Sequence, residues 1–592
     1  MPVVEVENLR YRYPGQQRLA LDGISFTAEE GQFIGIIGPN LSGKSTLCHA
    51  LMGLVPHFYK GAIGGRVVVA GLDVHETPVA EMSRHVGLVF QNPFTQITGS
   101  KLTVYEETAF GLEYTGVPRE EMVVRIEKAL KLLGLWELRD RSPFALSGGQ
   151  MQRLAIASVL AMEPKVLVLD EPTSQLDPQG TREVFDAVAA LCRQGMTVIM
   201  AEHKIELLAA HADRILVLQD GKLVADDSPR AVFSRSSLAI PRPPVTAVAA
   251  ALAWTRPEGG LPITVEEAVQ VGQERLGPRD AAPEDGAETD ATQRNPSAAT
   301  SEYPHGAPAE TPSEPPGNPV IAVRDVHFHY VPGVPVLRGI TLNLYPGATA
   351  IIGQNGAGKS TFVRLLNGLL KPVSGRVLVK GVDTRTTTVA TLARTVGLVF
   401  QNPSDQLFKS RVLDEVMFGP LNLGLAPREA ERRAREALAQ VGLNGVEHRN
   451  PYDLGLAERK LVTIASVLSM GTEVIVLDEP TIGQDEEGVR RLGELVRALA
   501  AQGRTVVTIT HDMNFVAQYF QRVLVFSEGR VLADGDAAAV FSQADVLRRA
   551  GVEAPQITRL SQALKLAPPA LTVEQFVARV QSLQDKKRPT AP

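Results

Sequence analysis

The chain has 592 residues, 44% hydrophobic and 21% charged, with a net charge of −6. It is too long for one hydrophobic core, and its charge excludes a nucleic-acid binder held by bulk positive potential. Cys48 and Cys192 are its two cysteines, which excludes a disulfide framework, a four-cysteine iron–sulfur cluster and paired zinc knuckles and fits a reducing cytosol.

Taken in chain order, the opening Met1–Glu7 lacks the basic and apolar regions of a signal peptide, and no run approaches the roughly 18 apolar residues of a membrane span. The expectation is a chain that neither spans a membrane nor is exported; if it serves a transporter, other subunits supply the pore. The strand-like run Phe33–Ile37 leads into Gly38-Pro39-Asn40-Leu41-Ser42-Gly43-Lys44-Ser45, followed by Thr46, which fits the phosphate-binding pattern G-x-x-x-x-G-K-[ST]. A triphosphate needs inward-pointing N–H groups that no side chain obstructs, and the glycines let the backbone come that close. Lys44 then reaches the β- and γ-phosphates, and the Ser45 hydroxyl can ligate Mg²⁺.

Apolar positions Met122, Ile126, Ala129, Leu130 and Leu133 recur at helical spacing. The runs Val166–Leu169 and Thr197–Met200 read as buried parallel strands. The first of these ends in Asp170-Glu171-Pro172, where the first carboxylate suits a water-mediated Mg²⁺ contact and the second can orient an attacking water. His203 follows the second run. Strands alternating with helices imply an α/β sheet with crossovers.

From about Gly277 to Pro319 the composition falls to Pro, Ala, Glu, Asp, Thr, Ser and Gly. Such a segment cannot bury enough surface to offset its ordering entropy, so a flexible linker is expected. The paragraph then repeats. Gly353-Gln354-Asn355-Gly356-Ala357-Gly358-Lys359-Ser360-Thr361 follows the run Ala350–Ile352, with Lys359 standing 315 residues after Lys44. Asp478-Glu479-Pro480 ends Val474–Leu477, and His511 follows Val506–Ile509, now at an offset of 308. Thr264–Val269 is mirrored by Thr572–Val577, so each copy has its own C-terminal appendage. The expected organisation is a first ATPase domain over 1–235, its appendage over 236–276, a linker over 277–319, a second ATPase domain over 320–545 and its appendage over 546–592.

These motifs resemble the ATP-binding-cassette (ABC) ATPases over nearly everything outside the linker. The resemblance implies two P-loop cassettes in tandem, each an α/β mixed-sheet core with a helical subdomain. It assigns Gln91 and Gln401, in Phe-Gln-Asn-Pro, to the Q-loop that links Mg²⁺ and water to a transmembrane partner, so Gln91 and Gln401 join Ser45, Asp170, Ser360 and Asp478 around the metal. It makes Glu171 and Glu479 the catalytic carboxylates, and His203 and His511 the switch histidines at the γ-phosphate. Tyr13 and Tyr330 match the residue that stacks on adenine, while Tyr11 and Phe328 alternate to the opposite strand face. Asp177 and Asp485 close the D-loops.

Within the family, Gln91–Gln96 and Gln401–Gln406, followed by Glu106–Gly111 and Asp414–Gly419, resemble the ATPases of energy-coupling-factor importers for vitamins and metal ions. That implies ATP and Mg²⁺ as cofactors, a position at the cytoplasmic face of the cell membrane, and two partners: a transmembrane coupling subunit and a small substrate-capturing membrane protein. No nucleic-acid partner is expected. The carboxylates of the Glu106 and Asp414 stretches read either as acidic first turns of helices or as a contact for a basic segment of the coupling subunit. Leu54–Phe58, found only in the first copy, is similar to fused members linked to hydroxymethylpyrimidine or thiamine uptake. A monosaccharide-importer ATPase and a soluble tandem cassette acting on ribosomes or DNA stay open as other readings.

The two copies differ at the family's signature. Ser147, Gly148, Gly149 and Gln150 follow the usual pattern, whereas Gly455, Leu456, Ala457 and Glu458 stand in the second copy. Cassettes of this family pair head to tail, here within one chain, so the altered signature completes the site built on Lys44, Glu171 and His203. Losing a charge-assisted hydrogen bond costs about 1.5–3 kcal/mol, and losing a transition-state donor roughly 100-fold or more in rate. Slower hydrolysis is expected at that site.

Overall fold

The computed structural model describes residues 2–174, 176–238, 240–277 and 317–587. Apart from its ends, the expected linker over 277–319 lies outside the described residues. The chain forms two compact units, and they do not coincide with the two copies. One comprises the residues up to Glu267 with Phe400–Ser469 and Glu479–Leu495; the other comprises Ala268–Val399, Met470–Asp478 and the residues from Val496 on.

In the first unit, Val4–Arg12 pairs antiparallel with Leu21–Ala28 on one side and Ala62–Val69 on the other. Its inward face carries Val4, Val6, Leu9 and Tyr11, all buried, the period-two alternation of a half-buried strand. Beside it lies a six-stranded sheet in the order Lys222–Asp227, Arg214–Gln219, Phe33–Ile37, Thr197–Ala201, Val166–Asp170, Val86–Val89. The neighbours of Phe33–Ile37 run parallel to it, and Lys222–Asp227 closes the edge antiparallel. The three strands Phe33–Ile37, Val166–Asp170 and Thr197–Ala201 are buried at every position, as expected of a parallel sheet covered on both faces.

Two apolar layers sandwich this sheet. One includes Ile34, Ile36, Val166, Val168 and Ile199 with the helix Lys44–Met52; the other includes Phe33, Leu167, Leu169, Val198 and Met200 with the helices Gly148–Leu160 and Pro178–Arg193. The predicted helix around Met122–Leu133 is Arg119–Leu132, with Leu133 as its C-cap. Helical segments from both copies belong to this unit: Val104–Thr115 and Arg119–Leu132 from the first, Val412–Asn422 and Pro427–Gln440 from the second.

The second unit repeats the sheet pair. A four-stranded antiparallel sheet runs Leu337–Leu344, Ile321–Phe328, Ser374–Val379, Val382–Asp383. The six-stranded sheet runs Val396–Val399, Val474–Asp478, Thr505–Ile509, Gly347–Ile352, Arg522–Ser527, Arg530–Asp536. The α/β mixed-sheet expectation holds in both copies. Among the described residues no helix is long and apolar enough to cross a membrane.

Phe362, on the helix that follows the second phosphate loop, is fully buried and meets Phe526 with ring centroids 5.2 Å apart. Truncating a buried aromatic costs about 3–5 kcal/mol through lost transfer energy and a residual cavity. Phe362→Ala is therefore expected to lower the urea midpoint of the second unit, followed by circular dichroism.

Candidate functional site

Both phosphate loops sit where a central parallel strand turns into a helix. Gly43 (φ 102°) and Gly358 (φ 94°) occupy the left-handed region at the N-caps of Lys44–Met52 and Lys359–Leu366, which an L side chain rarely adopts. Gly38 and Gly353 are required by close approach: a Cβ would lie 2.2 Å from the Leu218 carbonyl oxygen or 2.1 Å from that of Phe526. Lys44 Nζ folds onto the carbonyls of Gly38 (2.9 Å) and Pro39 (3.1 Å). Lys359 Nζ does the same at Gly353 (2.6 Å) and Gln354 (2.9 Å), with His511 Nε2 3.4 Å away. Both amines are buried inside their loops. Burial lowers the Lys44 pKa, opposed by the nearby Glu171, Asp170 and Asp485 carboxylates. The loops differ at one left-handed position: Leu41 (φ 62°, 85% exposed) stands in the first where Gly356 (φ 81°) stands in the second.

Around Glu171 the first copy gathers its expected site. His203 Nε2 lies 2.9 Å from Glu171 Oε1, and Gln91 Nε2 donates to Glu171 Oε2. Burial works to raise the Glu171 carboxyl, but the His203 bond, the His203 and Lys44 charges and the Gln91 bond hold it below its usual range. Its neighbour Asp170 goes the other way: burial and the Glu171 charge push it up to about 7, against the Ser45 hydrogen bond and Lys44. Two adjacent carboxyls are thus driven apart in acidity, an arrangement that suits separate roles. Glu171 (φ 47°) and Glu479 (φ 49°) are both held in left-handed backbone, strain of a kind that clusters at functional sites.

Asp170 Oδ1 is buried without a hydrogen-bond partner, the Ser45 hydroxyl bonds the same carboxyl, and the Gln91 amide bonds the adjacent Glu171. These residues fit Mg²⁺, which prefers a few hard oxygen ligands and keeps several waters. In the second copy Asp478 and Glu479 are equally buried at the end of their strand, and His511 Nε2 is 3.1 Å from Asn355 Oδ1.

The signatures start helices in unlike ways. Ser147 caps Gly148–Leu160: its Oγ accepts from Gln150 N (3.3 Å), while Gln150 Oε1 accepts from Ser147 N (3.0 Å), a reciprocal capping box. In the second copy only one of these bonds survives, Gly455 N donating to Glu458 Oε2 at 3.1 Å. The second D-loop reaches the first phosphate loop within the same unit. Asp485 Oδ2 accepts from Asn40 N (2.8 Å) while its Oδ1 accepts from Gly488 N (2.9 Å), and Gly483 O accepts from Asn40 Nδ2 (2.9 Å). Gln484 Nε2 in turn donates to Ala457 O of the altered signature (3.0 Å). One chain of bonds therefore joins Asn40 of the first copy, through Gly483–Asp485, to Ala457 of the second.

Tyr13 and Tyr330 each place Oη 3.2 Å from a threonine hydroxyl that follows the phosphate-loop lysine and serine, Thr46 and Thr361. Tyr11 and Phe328 are buried, but not on the opposite face as expected: each meets its tyrosine edge-on, with ring centroids 4.8 and 4.9 Å apart, because residues two apart on an extended chain share a face.

In the acidic stretch after the Q-loop, two of the carboxylates serve their own helix termini. Glu106 closes a capping box with Thr103. Glu107 turns inward to accept from Thr98 N (2.7 Å), and Glu415 accepts from Phe408 N (2.8 Å) and Lys409 N (2.7 Å). Glu107 and Glu415 are buried and serve their own backbone, so they do not present charge to a partner.

Sequence reading passed over two residues. Glu202, buried, accepts from Thr173 Oγ1 (2.6 Å) and from His203 N (2.8 Å), and so orients the His203 segment. Lys460, 1% exposed, donates to the Phe400 (2.7 Å) and Gln401 (3.0 Å) carbonyls of the second Q-loop. The signal was a comparison of copies, since Thr510 stands for Glu202 and Gln152 for Lys460.

The ABC transporter family matches residues 21–174 and 337–482. The chain belongs to that family. It is similar along nearly its whole length to proteins described as ABC transporter ATP-binding proteins. One from Caldanaerobacter subterraneus subsp. tengcongensis is 39% identical over 97% of this chain and 98% of its own; one from Methanosarcina acetivorans is 36% identical over 95% and 91%. A solved structure, cbiO1 from Clostridium perfringens, described as part of the ABC transporter complex cbiONQ, is 35% identical over 42% of this chain and 100% of that one, with a TM-score of 0.37. The protein is an ATP-binding subunit of an ABC transporter, and its cassettes are ATPases.

Gly38→Ala and Gly353→Ala test the two cradles separately. Each adds a Cβ against a carbonyl oxygen that cannot retreat, and each is expected to abolish nucleotide binding at its own site. Equilibrium dialysis with ATP should then return half the wild-type stoichiometry for either variant.

Proposed function

We propose that this ABC ATPase energises an energy-coupling-factor importer of a vitamin or a metal ion. It would work at the cytoplasmic face of the cell membrane beneath a transmembrane coupling subunit and a small substrate-capturing membrane protein. The Q-loop surroundings Gln91–Gln96 and Gln401–Gln406 support this subgroup. The two cassettes pair head to tail within the chain, a reading supported by the bonds from Asp485 and Gly483 to Asn40.

In each site the loops Gly38–Ser45 and Gly353–Ser360 cradle the phosphates through backbone N–H groups, and Lys44 or Lys359 turns from its own carbonyls to the β- and γ-phosphates. Mg²⁺, when bound by Ser45, Asp170 and Gln91, or by Ser360, Asp478 and Gln401, neutralises charge on the transferred phosphoryl group. Glu171 and Glu479 orient and deprotonate the attacking water, and His203 and His511 contact the γ-phosphate. Glu171 is held ionised for that role by His203 and Gln91. ATP binding closes the cassettes and hydrolysis reopens them, and that cycle drives the membrane subunits.

The sites are unequal. By the head-to-tail pairing of this family, Ser147 with the Gly148 and Gly149 amides would complete the site of Lys359, Glu479 and His511. The site of Lys44, Glu171 and His203 faces Gly455 and Leu456, which lack the hydroxyl and the close backbone approach. The carrying observation is the bonded path Asn40–Asp485 and Gln484–Ala457, which brings the altered signature's own D-loop to the first phosphate loop.

Glu479→Gln is expected to remove most ATPase activity and Glu171→Gln much less; equal losses would sink the asymmetry. Affinity purification from gently solubilised membranes of the native host, read by mass spectrometry, is expected to recover a coupling subunit and a small multi-span protein. Recovery with a solute-binding-protein-dependent permease would favour a monosaccharide importer, and recovery with ribosomal or DNA-processing proteins alone would overturn the importer assignment.

A further inference from the structure

The two copies treat their adenine-site tyrosines differently, and the difference comes from a segment the second copy lacks. Between matching residues, Gly53 to Arg66 in the first copy and Gly368 to Arg376 in the second, the first copy is five residues longer. The extra length contains Pro56-His57-Phe58-Tyr59-Lys60.

Tyr13 and Tyr330 share two restraints. One is the threonine hydroxyl at 3.2 Å; the other is an edge-on aromatic from the same strand, Tyr11 at 4.8 Å and 83° or Phe328 at 4.9 Å and 86°. Tyr13 has a third that Tyr330 lacks among the described residues. The Tyr59 ring stands 6.3 Å from it at 79° and is itself stacked on His49, 5.0 Å away and 20° from parallel. Phe90, which precedes the Q-loop glutamine, lies 6.1 Å from His49. At the positions of His49 and Tyr59 the second copy has Arg364 and no aromatic residue, and Tyr330 is 55% exposed.

The segment is anchored at several points, so its position is set by the fold. His57 Nε2 bonds Val74 O at 2.8 Å, Lys60 Nζ donates to His57 O at 2.8 Å, and Tyr11 Oη donates to Lys60 O. Gly61 (φ 101°) lets the chain pass where a Cβ would lie 2.4 Å from Arg12 O. Burial lowers His49 to about 4, so the stack against Tyr59 is one of neutral rings near pH 7. Tyr59 remains 38% exposed, at the margin of the site.

We propose that residues 54–61 are an adenine-site brace: Tyr59, seated on His49, fixes the Tyr13 ring, and the first cassette consequently holds adenine nucleotide more tightly than the second. The inference rests on the assignment of Tyr13 and Tyr330 as base-stacking residues. Tyr59 is a positioning residue. A ring already immobilised before the ligand arrives loses less side-chain entropy on stacking, which corresponds to a roughly three- to tenfold difference in affinity for each such side chain. The brace lies in the cassette that carries Glu171, so the site expected to hydrolyse slowly would also be the site that retains its nucleotide.

The test uses the full chain with Glu171→Gln and Glu479→Gln both present, photolabelled with 8-azido-ATP across a concentration series. Labelled peptides from each copy are quantified by mass spectrometry. Half-labelling of the first copy is expected at a three- to tenfold lower concentration than of the second. Tyr59→Ala should remove that difference and leave the second copy unchanged, while Tyr59→Phe should preserve it. Competition by inorganic tripolyphosphate, which has no base, should be unaffected by Tyr59→Ala, a result that damage to the phosphate loop would not give. Equal half-labelling in the parent chain, or weakening of ATP and tripolyphosphate alike by Tyr59→Ala, would overturn the brace. Tyr13→Ala separates the two levels. If it leaves labelling of the first copy unchanged, the base-stacking assignment fails; if it weakens labelling while Tyr59→Ala does not, only the brace fails.

Discussion

Everything in each cassette depends on how closely one backbone passes another at the end of the central parallel strand. Gly38 runs against the Leu218 carbonyl and Gly353 against that of Phe526, at distances that exclude a Cβ. That approach turns the chain out of the sheet and into a helix at once, with the lysine ammonium folded onto the loop's own carbonyls. The buried strands on either side are rigid because both their faces are covered, so the cradle inherits the precision of the sheet. Asp170 and Glu171 end the strand next but one to Phe33–Ile37, and His203 lies two residues past the end of the strand between them. Nucleotide chemistry is thereby confined to one edge of the sheet, where strand ends converge.

The same edge stores the electrostatic work of the site. Two adjacent carboxyls are buried within reach of one lysine, and the protein resolves the conflict by giving them unlike surroundings. Glu171 receives His203 and Gln91, which favour its ionised form. Asp170 receives the Ser45 bond and keeps a buried oxygen without a hydrogen-bond partner. Left-handed backbone at both Glu171 and Glu479 belongs to the same economy: the chain accepts local strain to aim a carboxylate, and the surrounding strands hold it there.

Duplication lets the copies diverge without losing the frame. The altered signature keeps a helix start but only half of a capping box, and the buried Lys460 replaces Gln152 beneath the second Q-loop. In the first copy Glu202 and the Tyr59–His49 stack have no counterpart. The two copies nevertheless keep the same pair of sheets with equivalent strand orders.

The sequence by itself determined the sheet class, the phosphate loops, the acid pairs and the histidines, because each is written in contiguous residues whose spacing matches a local geometry: Phe33–Ile37 into Gly38–Ser45, Val166–Leu169 into Asp170-Glu171. It also exposed the altered signature, since two copies in one chain supply their own comparison. Only tertiary structure decided what those residues touch. Glu107 and Glu415 belong to stretches that also read as partner contacts, and they accept from their own loops once the chain has folded back on them. Tyr59, His49 and Tyr13 are scattered along the sequence, and no local pattern announces that their rings meet. Nor could spacing show Asp485 at Asn40, 445 residues away, because contacts between distant segments depend on packing of whole faces, which periodicity describes one element at a time.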